Sequence, residues 1–70
     1  MNYYERQKLA KDRLIELGKQ IWSLLTEYER EYYYQFGPLS FIEHIANVVG
    51  YDIDYDNVTV IDYIYNKITD

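Results

Sequence analysis

The chain is predicted to fold as an all-α domain: one long N-terminal helix, two short helices packed back on it, and a dimer as the assembled form. Three observations predict this. From about Tyr3 to Gln35 there is no proline, a single glycine and mostly strong helix formers. Ser40 with Glu43 at capping-box spacing, and then Gly50, give a second helix its start and stop signals. Val58, Ile61, Tyr65 and Ile68 recur at helical spacing in the last segment. With 70 residues the chain is one domain over 1–70, and such a chain hides only ~60% of the surface that its unfolded form exposes. It has no cysteine, so neither a disulfide nor a thiolate zinc site reinforces the core, and a cytoplasmic protein is expected. A second copy is the expected remedy.

The width of the first helix's apolar face supports that expectation. At about 100° per residue, Leu24, Leu17, Tyr28, Ile21, Leu14, Tyr32, Leu25, Phe36, Trp22, Ile15 and Tyr33 share an arc of roughly 180°, against the ~100° stripe of an ordinary surface helix. At 1.5 Å per residue, Leu14 to Phe36 runs roughly 35 Å and the two short helices laid end to end roughly 30 Å, so one stripe can be covered within the chain. The flank carrying Ile15, Gly18, Trp22, Leu25 and Tyr33 is left for a second copy. Gly18 lies inside the arc, where a missing side chain admits a close backbone; the ordinary alternative is a tolerated glycine costing ~1 kcal/mol. The first thirteen residues are poorer in apolar groups and are expected to fray.

Gly37-Pro38 ends the long helix, because proline disfavours helical backbone in the residue before it. In the next helix Val48, Phe41, Ile45, Val49, Ile42 and Ala46 share one side, with Glu43 and Asn47 opposite. Tyr51 to Asn57 then alternates strictly and reads as extended chain or loop. From Val58 onward a helix capped by Thr59 and Asp62 competes with a strand. In the α+β alternative, residues 51–65 form a hairpin turning at Asp56-Asn57.

Charge divides the chain. Residues 1–35 hold six basic and six acidic side chains, whereas residues 36–70 set Lys67 against Glu43, Asp52, Asp54, Asp56, Asp62 and Asp70, so the net −5 lies entirely in the second half. Nucleic acid is disfavoured as a partner, since no basic face there could displace its counterions. Ala46 and Gly50 suit the turn of a helix-turn-helix, but its reading helix would carry Asp62, stand beside three aspartates and lack arginine. No uninterrupted apolar run approaches membrane-spanning length, and no membrane association is expected.

Asp52, Asp54 and Asp56 match the first, third and fifth positions of a calcium loop, but Asn57 stands where the turn needs glycine and Tyr63 where a bidentate carboxylate should close the site. No metal or cofactor is therefore assigned. His44, the only imidazole, reads as a half-buried helix residue, and no nucleophile context or phosphate loop is present. No enzyme is expected. Tyr51, Asp52, Asp54, Tyr55, Asp56 and Asp62 instead interleave negative charge with aromatic surface and suit a basic groove on another protein. The reading is a small interaction protein, a regulator or inhibitor of the kind compact mobile-element genes encode. Mimicry of nucleic-acid charge and a helix-turn-helix nucleic-acid-binding module are the alternatives.

Overall fold

The computed structural model describes residues 1–70 and contains four helices and no strand: α1 (Tyr3–Leu24), α2 (Glu27–Phe36), α3 (Pro38–Val49) and α4 (Val58–Thr69). The all-α class holds and the hairpin alternative falls, because α4 covers the residues that would have formed its second strand. α3 and α4 both pack against α1, and α2 turns back onto α3.

The long helix is the main correction. An unbroken Tyr3–Gln35 rod would be about 50 Å long, longer than the 40 Å principal extent of the whole molecule. The chain instead leaves helical geometry at Leu25 (φ −74°, ψ 144°) and restarts behind Thr26. There the hydroxyl accepts from the Glu29 amide at 3.2 Å, while the Glu29 carboxylate accepts from the Thr26 amide at 2.9 Å. Arg30 closes the other side of the break: its Nε and Nη2 donate to the Trp22 carbonyl at 3.1 and 2.9 Å, joining the Leu25 amide, which donates to the same oxygen at 3.2 Å. Both helix ends thus gain local partners.

Other boundaries move by similar logic. α1 begins at Tyr3 behind Asn2, whose side chain accepts from the Glu5 amide at 2.8 Å, so the N-terminal residues are helical rather than frayed. α3 starts at Pro38 with no side-chain cap, and Ser40 lies within it rather than ahead of it. Gly50 ends α3 in left-handed geometry (φ 79°) as expected. Asn57, not Thr59, caps α4 by accepting from the Val60 amide at 3.3 Å.

The core consists of Leu14, Trp22, Phe41, Ile42, Ile45, Ala46, Ile64 and Ile68. Trp22 is only 6% exposed, and Ile15, Leu25 and Tyr33 pack partly buried against the same cluster. The flank expected to need a second copy is covered within the chain, which removes the premise of the dimer argument. Gly18 does admit a close neighbour, but that neighbour is Ile68 of α4: a Cβ on Gly18 would lie 2.6 Å from Ile68 Cδ1 and 2.8 Å from its Cγ1. Breaking the rod also resets the angular phase, so Tyr28, Tyr32 and Phe36, placed on the core arc by an unbroken helix, face solvent.

Two stability measurements test these contacts. Gly18→Ala is expected to lower stability by about 1–2 kcal/mol in urea titration, overcrowding at Ile68 outweighing the helix-propensity gain of about 1 kcal/mol. Adding Ile68→Val, which removes Cδ1, should make the double variant less unstable than the sum of the two changes. Thr26→Ala is expected to cost about 1 kcal/mol at neutral pH. The two hydrogen bonds from Thr26, backbone first, hold the Glu29 carboxyl below its ordinary value. The stabilisation is therefore full above the unfolded carboxylate range and lost as pH falls through the lower folded value. The gap between wild type and Glu29→Gln should therefore narrow on acidification; a constant gap would mean that the Glu29 carboxylate does not complete the cap.

Candidate functional site

The alternation of residues 51–54 sorts side chains by face, as an extended segment must. Tyr51 and Ile53 turn inward and pack partly buried against the core, whereas Asp52, Asp54, Tyr55 and Asp56 are exposed. Tyr51 is therefore not the solvent-facing ring anticipated. Burial, and then the charge of Asp54, raise its phenol pKa above the ordinary value. Asp62, one turn into α4, is exposed as expected.

The loop is held in shape by contacts that its own residues supply only in part. Asp54 Oδ1 accepts from the Asp56 amide at 3.1 Å, and the Asp54 carbonyl accepts from the Asn57 amide at 3.0 Å, which is the local turn an aspartate favours. The remaining contacts come from the first two turns of α1. Tyr3 donates its hydroxyl to Asp52 Oδ2 at 2.9 Å. Gln7 bridges the loop entrance, its Nε2 donating to the Gly50 carbonyl at 3.1 Å and its Oε1 accepting from the Asp52 amide at 2.7 Å. The Asp52 hydrogen bond, the largest cause, raises the Tyr3 phenol pKa, because losing that proton would set two negative groups together.

Between this loop and α3 lies an open groove of about 300 Å³, lined by Glu43, Ala46, Asn47, Tyr51, Asp52, Ile53 and Tyr55. Its charged groups are carboxylates and its walls include two tyrosines, and no lysine or arginine lines it. Such a lining is chemically complementary to a cationic head with an aliphatic stem. It offers no metal centre: no group of three or more histidine, aspartate or glutamate side chains is arranged to hold an ion. His44 is exposed rather than half-buried. Gly50 is followed by the loop rather than by a short turn into α4, so α3 and α4 lack the three- to four-residue connection of a helix-turn-helix. No helix is long and apolar enough to cross a membrane.

Sequence reasoning found the acidic loop but missed Tyr3, Gln7, Glu43 and Asn47. Glu43 and Asn47 carried a usable signal, since they stand four apart on the polar side of α3. Tyr3 and Gln7 also stand four apart and act on the same loop, but nothing local announces a partner more than forty residues away. No family model, curated protein or solved structure matches the chain.

The Gln7 bridge can be tested directly. Gln7→Ala is expected to lower stability by about 1 kcal/mol and to speed hydrogen exchange at the Asp52 amide well beyond that global loss. Exchange that changes only in step with global stability would show that the loop holds its shape without α1.

Proposed function

We propose that this chain is a non-enzymatic protein-interaction protein, a regulator or inhibitor, that engages a basic protein partner through the acidic, tyrosine-rich surface of its second half. The observation that supports this most is the groove between α3 and the loop, which Glu43 and Asp52 line together with Tyr51 and Tyr55. A partner's lysine or arginine entering it meets carboxylates for its head and ring and Ile53 surface for its stem. Asp54 and Asp56 stand outside as exposed charge, suited to steering a basic surface during approach. The tethers from Tyr3 and Gln7 favour binding by lowering the cost of ordering the loop on contact.

The test is capture from host lysate at low and high salt, comparing wild type with a variant carrying Asp52→Asn, Asp54→Asn and Asp56→Asn. Asparagine retains an oxygen for the Tyr3 hydroxyl and for the Asp56-position amide, so circular dichroism should be unchanged. A basic protein retained by wild type should bind the variant roughly tenfold or more weakly and be released from wild type by salt. Equal retention of the same protein by both would reject this surface, and retention of nucleic acid in its place would favour a binding module of another class.

A further inference from the structure

α2 contributes no buried residue, yet it carries an aromatic stripe at i, i+4, i+8 spacing. Tyr28 is 82% exposed, Tyr32 52% and Phe36 67%. Tyr32 and Phe36 lie against each other with ring centroids 5.0 Å apart, and on one side of the stripe Glu31 and Gln35 complete a shallow groove of about 170 Å³. Tyr33, on the flank next to the stripe, anchors the helix by meeting Phe41 at 5.2 Å. The stripe is thus not the residue of a badly packed core face: α2 packs Arg30 and Tyr33, both partly buried, against the rest of the fold and presents this face.

Charge identifies what the stripe fits. At about 100° per residue, Glu29 borders one edge and Glu31, with Glu27 beyond it, the other. The one basic residue of α2, Arg30, is turned away; its guanidinium is engaged by the Trp22 carbonyl and lies 5.7 Å from the Trp22 ring centroid. An apolar stripe with acidic edges and no available base complements a helix whose own apolar stripe has basic edges. A second copy of this chain pairing through α2 would set glutamates against glutamates, which disfavours self-association there.

We infer that the Tyr28–Tyr32–Phe36 face of α2 is a docking surface for an amphipathic helix of another protein, its leucine-type anchors on the aromatic stripe and its lysines or arginines against Glu27, Glu29 and Glu31. The surface shares no residue with the acidic loop and stands independently of the function proposed above.

The probe is an 18-residue amphipathic Leu/Lys helix, with a Leu/Glu peptide of the same pattern and a scrambled Leu/Lys peptide as controls, titrated into the full chain while backbone amide shifts are followed by NMR. The Leu/Lys helix should move α2 resonances, weaken with salt, and bind at least about tenfold more weakly to Tyr28→Ala/Phe36→Ala. Both side chains are exposed, so the fold should survive, which the unperturbed α1 and α3 resonances would report. Glu27→Gln/Glu31→Gln should also weaken binding, whereas the loop variant with Asp52, Asp54 and Asp56 changed to asparagine should not. Absence of binding, equal binding of the Leu/Glu or scrambled peptide, or shifts confined to residues 51–57 would overturn the proposal. So would light scattering that finds a dimer abolished by Tyr28→Ala/Phe36→Ala, which would assign the face to a second copy.

Discussion

The fold depends on the enclosure of one side chain, Trp22. Its ring meets Tyr34 of α2 at 5.7 Å, Phe41 of α3 at 5.4 Å and Tyr65 of α4 at 6.4 Å, each edge-on, and Arg30 of α2 covers it as well. Every other helix therefore reaches the end of α1 through one indole. Edge-on contacts of this kind contribute about 0.5–1.5 kcal/mol each beyond area burial, which matters in a chain with only nine of 70 residues buried. This enclosure requires the break at Leu25. In a continuous rod Tyr34 would lie three turns beyond Trp22 on the same cylinder, out of reach. The Thr26–Glu29 cap and the Arg30 contact with the Trp22 carbonyl are consequently part of the core's construction and not decoration of a loop.

The cluster has one polar flaw. The Tyr65 hydroxyl is buried without a hydrogen-bond partner; Tyr34 stands beside it at a ring separation of 6.3 Å, but the two hydroxyls do not reach hydrogen-bond geometry. Burial first, and the Tyr34 neighbour second, push the Tyr65 phenol up to about 12. The sign follows from linkage. A phenol whose folded value is raised favours folding fully below its unfolded value near 10 and loses that contribution as pH climbs toward 12. At neutral pH the group is simply an uncharged ring with an unsatisfied oxygen.

What was legible in the residues followed from local chemistry. The helical character of 58–69 could be read from Val58, Ile61, Tyr65 and Ile68, and the left-handed stop at Gly50 from its position after an apolar periodic run. The acidic loop could be read from its alternation. The break at Leu25 was also written locally, since Thr26 and Glu29 have the same spacing that suggested caps at Ser40 and Thr59, but a run free of proline and with no glycine after Gly18 masked it. Intrinsic propensity favoured continuity; the aromatic packing available only to a folded-back α2 prevailed. That one misreading propagated. It put Tyr28, Tyr32 and Phe36 on the core arc, left Trp22 on an uncovered flank and thereby suggested a dimer. The Tyr3 and Gln7 tethers were illegible for a different reason: they join residues that become neighbours only after α3 has packed on α1.

Tyrosine abundance has a physical reading in this light. A chain of this size cannot bury ten tyrosines and two phenylalanines around a core of eight side chains, so each ring must either join the Trp22 cluster or remain at the surface. Tyrosine is suited to both, because its hydroxyl is solvated when exposed. Two groups of rings outside that cluster differ in how they are held. Tyr3 and Tyr51 belong to the hydrogen-bonded junction of α1 with the loop, where shape is fixed before any encounter. Tyr28, Tyr32 and Phe36 belong to α2, secured by one cap, one arginine and the ring contacts of Tyr33 with Phe41 and Tyr34 with Trp22, with nothing buried. An element with no buried residue is of the kind that opens more readily than core-building helices. A ligand that binds only the formed helix would stabilise α2 by mass action, and through Arg30 and Tyr34 it would also tighten the cover over Trp22. Occupancy of the aromatic stripe, on that proposal, would be linked to the integrity of the core through the same short helix.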